Sequence, residues 1–222
     1  MRHTLIRFQA DDVEVHAIRT VGASVRARLV LAHGAGAGMT HPFMETVAER
    51  LAARDVAVLR YDFPYMREGR RLPDRAPKLL PVVRAAVAAE IEVAGRGGEN
   101  APLWAGGKTM GGRMTSMAEA ESPLGIEGTT VLGFPLHPAG RPSIDRAEHL
   151  RSTAVPLRFV SGTRDALATQ GLLERVVSEL APRAHLHPID AADHAFHVPK
   201  RSGRSDDDVL DEIASTVAAW LT

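Results

Sequence analysis

The chain has 222 residues, 45% of them hydrophobic and 24% charged, with 27 basic residues balanced by 27 acidic ones. That length supports one well-buried core and is short for two, and the charge balance leaves no basic excess of the kind that nucleic acid or an anionic membrane selects. Cysteine is absent, which excludes disulfides and thiolate metal sites.

Residues 4–9 and 13–19 are short β-prone runs separated by Asp11-Asp12, the pattern of an opening hairpin. Arg7 interrupts the first run before a signal-peptide apolar region can form, and no run reaches membrane-spanning length, so a cytoplasmic protein is expected. Residues 28–32 are an apolar run suited to a strand covered on both faces, ending in His33-Gly34-Ala35-Gly36-Ala37-Gly38-Met39. Thr40 is the expected cap of a helix in which Phe43, Val47 and Leu51 share a face. The next strand, 56–61, opens into Asp62-Phe63-Pro64-Tyr65-Met66-Arg67, and residues 78–94 carry a helical pattern through Leu79, Val83, Ala86, Val87 and Ile91.

A strand at 102–106 and a helix at 111–121 flank a glycine-rich turn. Further strands are expected at 129–134, 157–161 and 184–190, with a helix at 169–180 and a last one capped by Ser205. Asp206, Asp207 and Asp208 occupy that last helix's first turn, at the positive end of its dipole. Strands alternating with amphipathic helices predict one α/β domain over residues 1–222: a mostly parallel sheet of about seven or eight strands, helices on both faces and no large cap domain. The longest segment between elements, 135–155, is expected over the pocket mouth. In such sheets, function gathers at the carboxyl ends of the strands.

The turn between 106 and 111 is the centre of the reading. Gly107 and Gly111 bracket Thr109 with the spacing of Gly-x-Ser-x-Gly, the strand-turn-helix elbow that lifts a nucleophile above the sheet. Two other readings compete: a bare glycine turn, and the end of a phosphate-binding loop at Gly107-Lys108-Thr109. The latter requires a glycine five residues before Gly107, where Pro102 stands.

Asp165 follows the strand at 157–161 and His194 follows the strand at 184–190, so the chain order is hydroxyl, carboxylate, imidazole. A histidine takes the hydroxyl proton, and a carboxylate fixes its tautomer and stabilises the imidazolium. Asp190 and Asp193 read as turn formers, and His185, His187 and His197 as structural. A zinc site from His194 and His197 lacks further ligands. Gly34 and Gly36 with Asp62 suggest a dinucleotide site, but Met39 occupies the place of the third glycine. A main-chain N–H from this glycine loop, paired with that of Met110, meets the needs of an oxyanion hole.

Met39, Tyr65, Met66, Phe134, His137 and Phe196 are the expected lining of a shallow pocket suited to short acyl esters or lactones. Arg67 and Arg71 read as a solvated basic loop. The expected partner is a small-molecule substrate, with no cofactor, metal, nucleic acid or membrane involved; the sequence does not set the oligomeric state.

These features resemble the α/β-hydrolase superfamily, and over most of the chain one small bacterial branch of it. That branch is grouped with a testis-expressed protein and a subunit of the non-specific-lethal chromatin complex, and is related to dienelactone hydrolase. The resemblance is carried by His33-Gly34-Ala35-Gly36, Phe63-Pro64-Tyr65, Gly69-Arg70-Arg71, Gly106-Gly107-Lys108, Met110-Gly111-Gly112-Arg113, Gly133-Phe134-Pro135-Leu136-His137-Pro138, Gly162-Thr163-Arg164-Asp165 and Asp193-His194. It implies an α/β-hydrolase fold with Thr109, Asp165 and His194 in the nucleophile, acid and base places, and Ala35 and Met110 as oxyanion donors. The family pattern has serine where this chain has Thr109. That departure favours a second reading from a different class, a non-catalytic binding or scaffold protein that retains the fold.

Overall fold

The computed structural model describes all 222 residues, beginning with the expected hairpin of β1 (Arg2–Ala10) and β2 (Val13–Val21). Asp11 turns it at φ 51°, a left-handed conformation that a short polar side chain tolerates. Then come β3 (Ala27–Ala32), β4 (Val56–Tyr61), β5 (Leu103–Lys108), β6 (Thr129–Leu132), β7 (Leu157–Gly162) and β8 (Ala184–Ile189). They form one eight-stranded sheet in the order β1-β2-β4-β3-β5-β6-β7-β8. The six strands from β4 to β8 in that order are parallel, and β2 joins β4 antiparallel. There is no cap domain.

The helices are α1 (Pro42–Ala52), the single turn α2 (Pro64–Arg67), α3 (Ala76–Arg96), α4 (Met110–Glu121), α5 (Gln170–Glu179) and α6 (Asp206–Leu221). On one face of the sheet, α3 and α4 bury Leu79, Val83, Val87 and Met114 against Val30, Leu59, Tyr61 and Ala105. On the other, α1 and α6 bury Val47, Leu51, Ile213 and Val217 against Leu29, Leu31, Val56 and Val58. Alternate residues of β3 and β4 thus serve opposite faces, which is why both strands read as unbroken apolar runs.

Two expectations change. Helix α1 is capped by His41, whose Nδ1 accepts from the Phe43 N–H, because Pro42 supplies the first helical residue and fixes the start one position after Thr40. The segment 135–155 does not lie over the pocket. Its own Leu136, Ala147 and Leu150 are apolar and pack with Phe159, Leu173 and Val176, and the His137 N–H donates to the Leu167 carbonyl. The last helix starts as expected, with a full capping box between Ser205 and Asp208.

Candidate active site

Strand β5 passes into α4 through Thr109, whose backbone sits at φ 50° and ψ −111°. Such a conformation costs a β-branched residue on the order of 1–3 kcal/mol, so the surrounding packing has to impose it. It does so through glycines. A Cβ on Gly107 would lie 2.6 Å from the Ala32 carbonyl oxygen, and one on Gly111 would lie 2.4 Å from the same atom. The main chains of β3, β5 and α4 are therefore in contact, with no room for side chains between them. The Thr109 N–H donates to the Leu132 carbonyl, tying the apex to β6.

Thr109 Oγ1 lies 2.9 Å from His194 Nε2, and His194 Nδ1 lies 2.8 Å from Asp165 Oδ2. A carboxylate only accepts, so Nδ1 carries the proton and Nε2 is free to accept from the threonine hydroxyl. The Asp165 side chain is fully buried, and its other oxygen accepts from the Leu167 N–H at 2.7 Å, which fixes its plane. The His194 turn is held in the same way: Asp193 Oδ1 accepts from the N–H groups of Ala195 and His197, as expected of a turn former. His187 pairs with Glu212 and His197 with Asp206.

The glycine loop after β3 is braced from behind. His33 is completely buried; its Nδ1–H donates to the Gly34 carbonyl and its Nε2 accepts from the Phe63 N–H, an arrangement that requires the neutral ring. Burial pushes its pKa down, consistent with that state. At the loop's far end, the Met39 N–H donates to Asp62 Oδ1 at 2.7 Å and the Met39 carbonyl accepts from buried Arg60 at 2.7 Å. Asp62 thus holds a main-chain amide. The Ala35 N–H has no acceptor within the protein, and Met110, as the first residue of α4, offers an N–H outside the helical ladder.

A cleft of about 250 Å³ opens beside Thr109 and His194. Its walls are Gly34, Ala35, Ala37, His41, Phe43, Met44, Lys108 and Ala195. None of the six residues expected from the sequence lines it. Met39, Tyr65, Phe134, His137 and Phe196 are buried and Met66 is half-buried. They belong to the right loops, but their side chains turn inward: Phe134 packs edge-on against Phe159, and His137 bonds to Thr169. Phe196 reaches the site only as a backing, stacked on Phe43 with ring centroids 5.7 Å apart. Sequence reasoning gave His41 and Arg60 no role, placed Phe43 only on a helix face, and met Asp62 and Lys108 only in the rival dinucleotide and phosphate-loop readings; the signal for the three polar strand residues was a charge in or directly after an apolar strand. A larger groove of about 600 Å³ lies between β1 and α3, far from any of these groups.

The fold is similar to that of a dienelactone hydrolase from Anabaena variabilis, with a TM-score of 0.79 and 18% identity over 99% of this chain and 96% of that one. It is also similar to an esterase from Pyrococcus furiosus, TM-score 0.75 and 16% identity over 99% of this chain and 92% of that one. A lidless α/β serine hydrolase from Xanthomonas campestris matches with a TM-score of 0.73 and 16% identity over 100% and 96%. At these identities the likeness is one of fold. A family model described as an alpha/beta hydrolase domain matches residues 25–222, and the chain, which bears the glycine-bracketed elbow at the carboxyl edge of its sheet, belongs to that alpha/beta hydrolase family.

Proposed function

We propose that this protein, acting as one cytoplasmic domain, hydrolyses small esters or lactones, with Thr109 as nucleophile, His194 as base and Asp165 as the group that orients the base. The observation that carries this reading is the continuous relay Thr109–His194–Asp165 at the mouth of the cleft. Thr109 Oγ1 attacks the substrate carbonyl carbon and its proton passes to His194 Nε2. The imidazolium is stabilised by Asp165 and returns the proton to the leaving alkoxide, and water then repeats the sequence on the acyl-threonine. The N–H groups of Ala35 and Met110 receive the oxyanion. A cleft of about 250 Å³ is below the usual range for drug-sized ligands and favours short acyl groups. p-Nitrophenyl esters of increasing chain length test that preference; faster turnover of long chains counts against it.

Threonine makes the reaction slow. Its methyl has to point toward the histidine or toward the space where the oxyanion forms, and a displacement of about 1 Å in such a site costs about a hundredfold in rate. Thr109→Ser removes the methyl, keeps the hydroxyl and relieves χ1 restriction, so kcat/KM on a short activated ester rises. Thr109→Ala abolishes turnover, as does His194→Ala in the serine background. A serine variant no faster than the wild type, or one indifferent to the loss of His194, removes residue 109 from the nucleophile role.

The same threonine supports a second reading, a non-catalytic binding protein on a hydrolase fold. A fluorophosphonate probe separates the two: labelling at residue 109 supports the hydrolase, and failure to label either the wild type or the serine variant supports the binder.

A further inference from the structure

Lys108 precedes the proposed nucleophile and plays no part in the relay. Its side chain crosses from β5 to the loop after β8, where Nζ donates to the main-chain carbonyl of His194 at 2.5 Å. The ammonium sits against two aromatic faces, 4.6 Å from the Phe196 ring centroid and 5.5 Å from that of Phe43. Those rings are nearly parallel to one another, and they come from α1 and from the turn that carries the imidazole. One point above Gly133 lies 3.1 Å from Lys108 Nζ and 3.4 Å from His194 Cε1, so the ammonium and the imidazole are neighbours. Glycine at 133, with φ 68°, lets the main chain pass close to both.

We propose that Lys108 is a positioning residue, whose ammonium clamps the His194 main chain to the strand that carries Thr109 and so holds the imidazole on the threonine hydroxyl. This rests on the hydrolase reading above. The clamp joins residues adjacent to and within the relay through one side chain, so a change in its length or charge moves the base relative to the nucleophile while leaving the sheet intact. The titratable groups facing it are Asp165 from the loop after β7, Asp193 and His194 from the loop after β8, and His41 from the start of α1. Burial lowers the Lys108 pKa to about 8, against the pull of Asp165 and Asp193. Below that pH the clamp is charged; above it the amine keeps a weaker hydrogen bond and loses its attraction to the rings.

The test uses the Thr109→Ser protein as parent, with Lys108→Met and Lys108→Arg added. Lys108→Met is expected to lower kcat about tenfold or more with KM little changed, and Lys108→Arg to recover much of the loss. The parent's activity falls off above about pH 8, and this alkaline limb moves upward in Lys108→Arg, which stays charged. The imidazole NMR signals of His194, assigned against His194→Ala, report without turnover. In the parent they shift through about pH 8, as the neighbouring Lys108 ammonium loses its charge, and in Lys108→Met that step is absent. Unchanged kcat in Lys108→Met, or His194 signals flat across that range in the parent, overturns the proposal, the latter even if the methionine variant fails to fold. A parent without turnover whose His194 signals still respond to Lys108 retains the clamp and removes the hydrolase reading.

Discussion

Asp62 and Arg60 act on one residue from opposite sides, taking the N–H and the carbonyl of Met39 and closing the far end of the loop that presents the Ala35 N–H. Asp62→Ala leaves an amide unpaired and the loop free at that end. Loss of such a bond to a carboxylate costs about 1.5–3 kcal/mol of stability, so the fold survives, while the proposed oxyanion donor loses its fixed place. We expect kcat/KM of the serine variant to fall about tenfold or more with Tm lowered by only several degrees; an equal activity excludes a role for this brace. Neither residue was readable as a brace from the sequence. Arg60 stands in the apolar run 56–61, where an arginine ordinarily marks an exposed edge, yet here it is buried, with its guanidinium turned to the Met39 carbonyl and to Glu45 of α1. The wall residues were lost for a related reason. Sequence places a side chain on a loop, but the direction in which it points depends on what that loop packs against.

The elbow was legible because glycine spacing encodes close contact between main chains, a local property that survives without tertiary knowledge. Its consequence can be measured at α4. Gly111→Ala places a methyl 2.4 Å from the Ala32 carbonyl oxygen and 2.6 Å from that of His33, closer than packed atoms approach, and both obstacles are backbone. The variant should lose several kcal/mol, a scale typical of overpacking, or fail to accumulate as soluble protein. Gly171→Ala, in the first turn of α5 with no atom within 4 Å of the added Cβ, is the contrast. It should raise stability by about 0.4–1 kcal/mol through lost chain entropy. Denaturant midpoints of the two variants check this, and similar values would mean that the elbow is not rigid. Element starts were less legible: His41 replaces Thr40 as the α1 cap, and only the last helix, with its Ser205–Asp208 box, began where its cap residue placed it.

Across the whole molecule, buried His33 and half-buried His149 set the response to acid. Burial and the nearby Arg113 charge lower the His149 pKa to about 4, and burial lowers that of His33. The unfolded chain binds these protons near pH 6.5, so between about 4 and 6.5 it binds more than the folded chain and stability falls as pH falls. The His197–Asp206 pair works in the opposite direction, since His197 is raised, but it is exposed and contributes little. Thermal unfolding at pH 5 is therefore expected several degrees below that at pH 7. His149→Gln, which keeps a partner for Ser116, should shrink the gap, and an unchanged gap would rule out His149 as a source. A different consequence follows from the missing cap domain. Nothing has to swing shut before reaction or open after it, so turnover has no mechanical clock. Under the hydrolase reading, adding glycerol or sucrose to thicken the solvent should then leave kcat unaltered, and a kcat that falls in step with viscosity would count against a lid-free cycle.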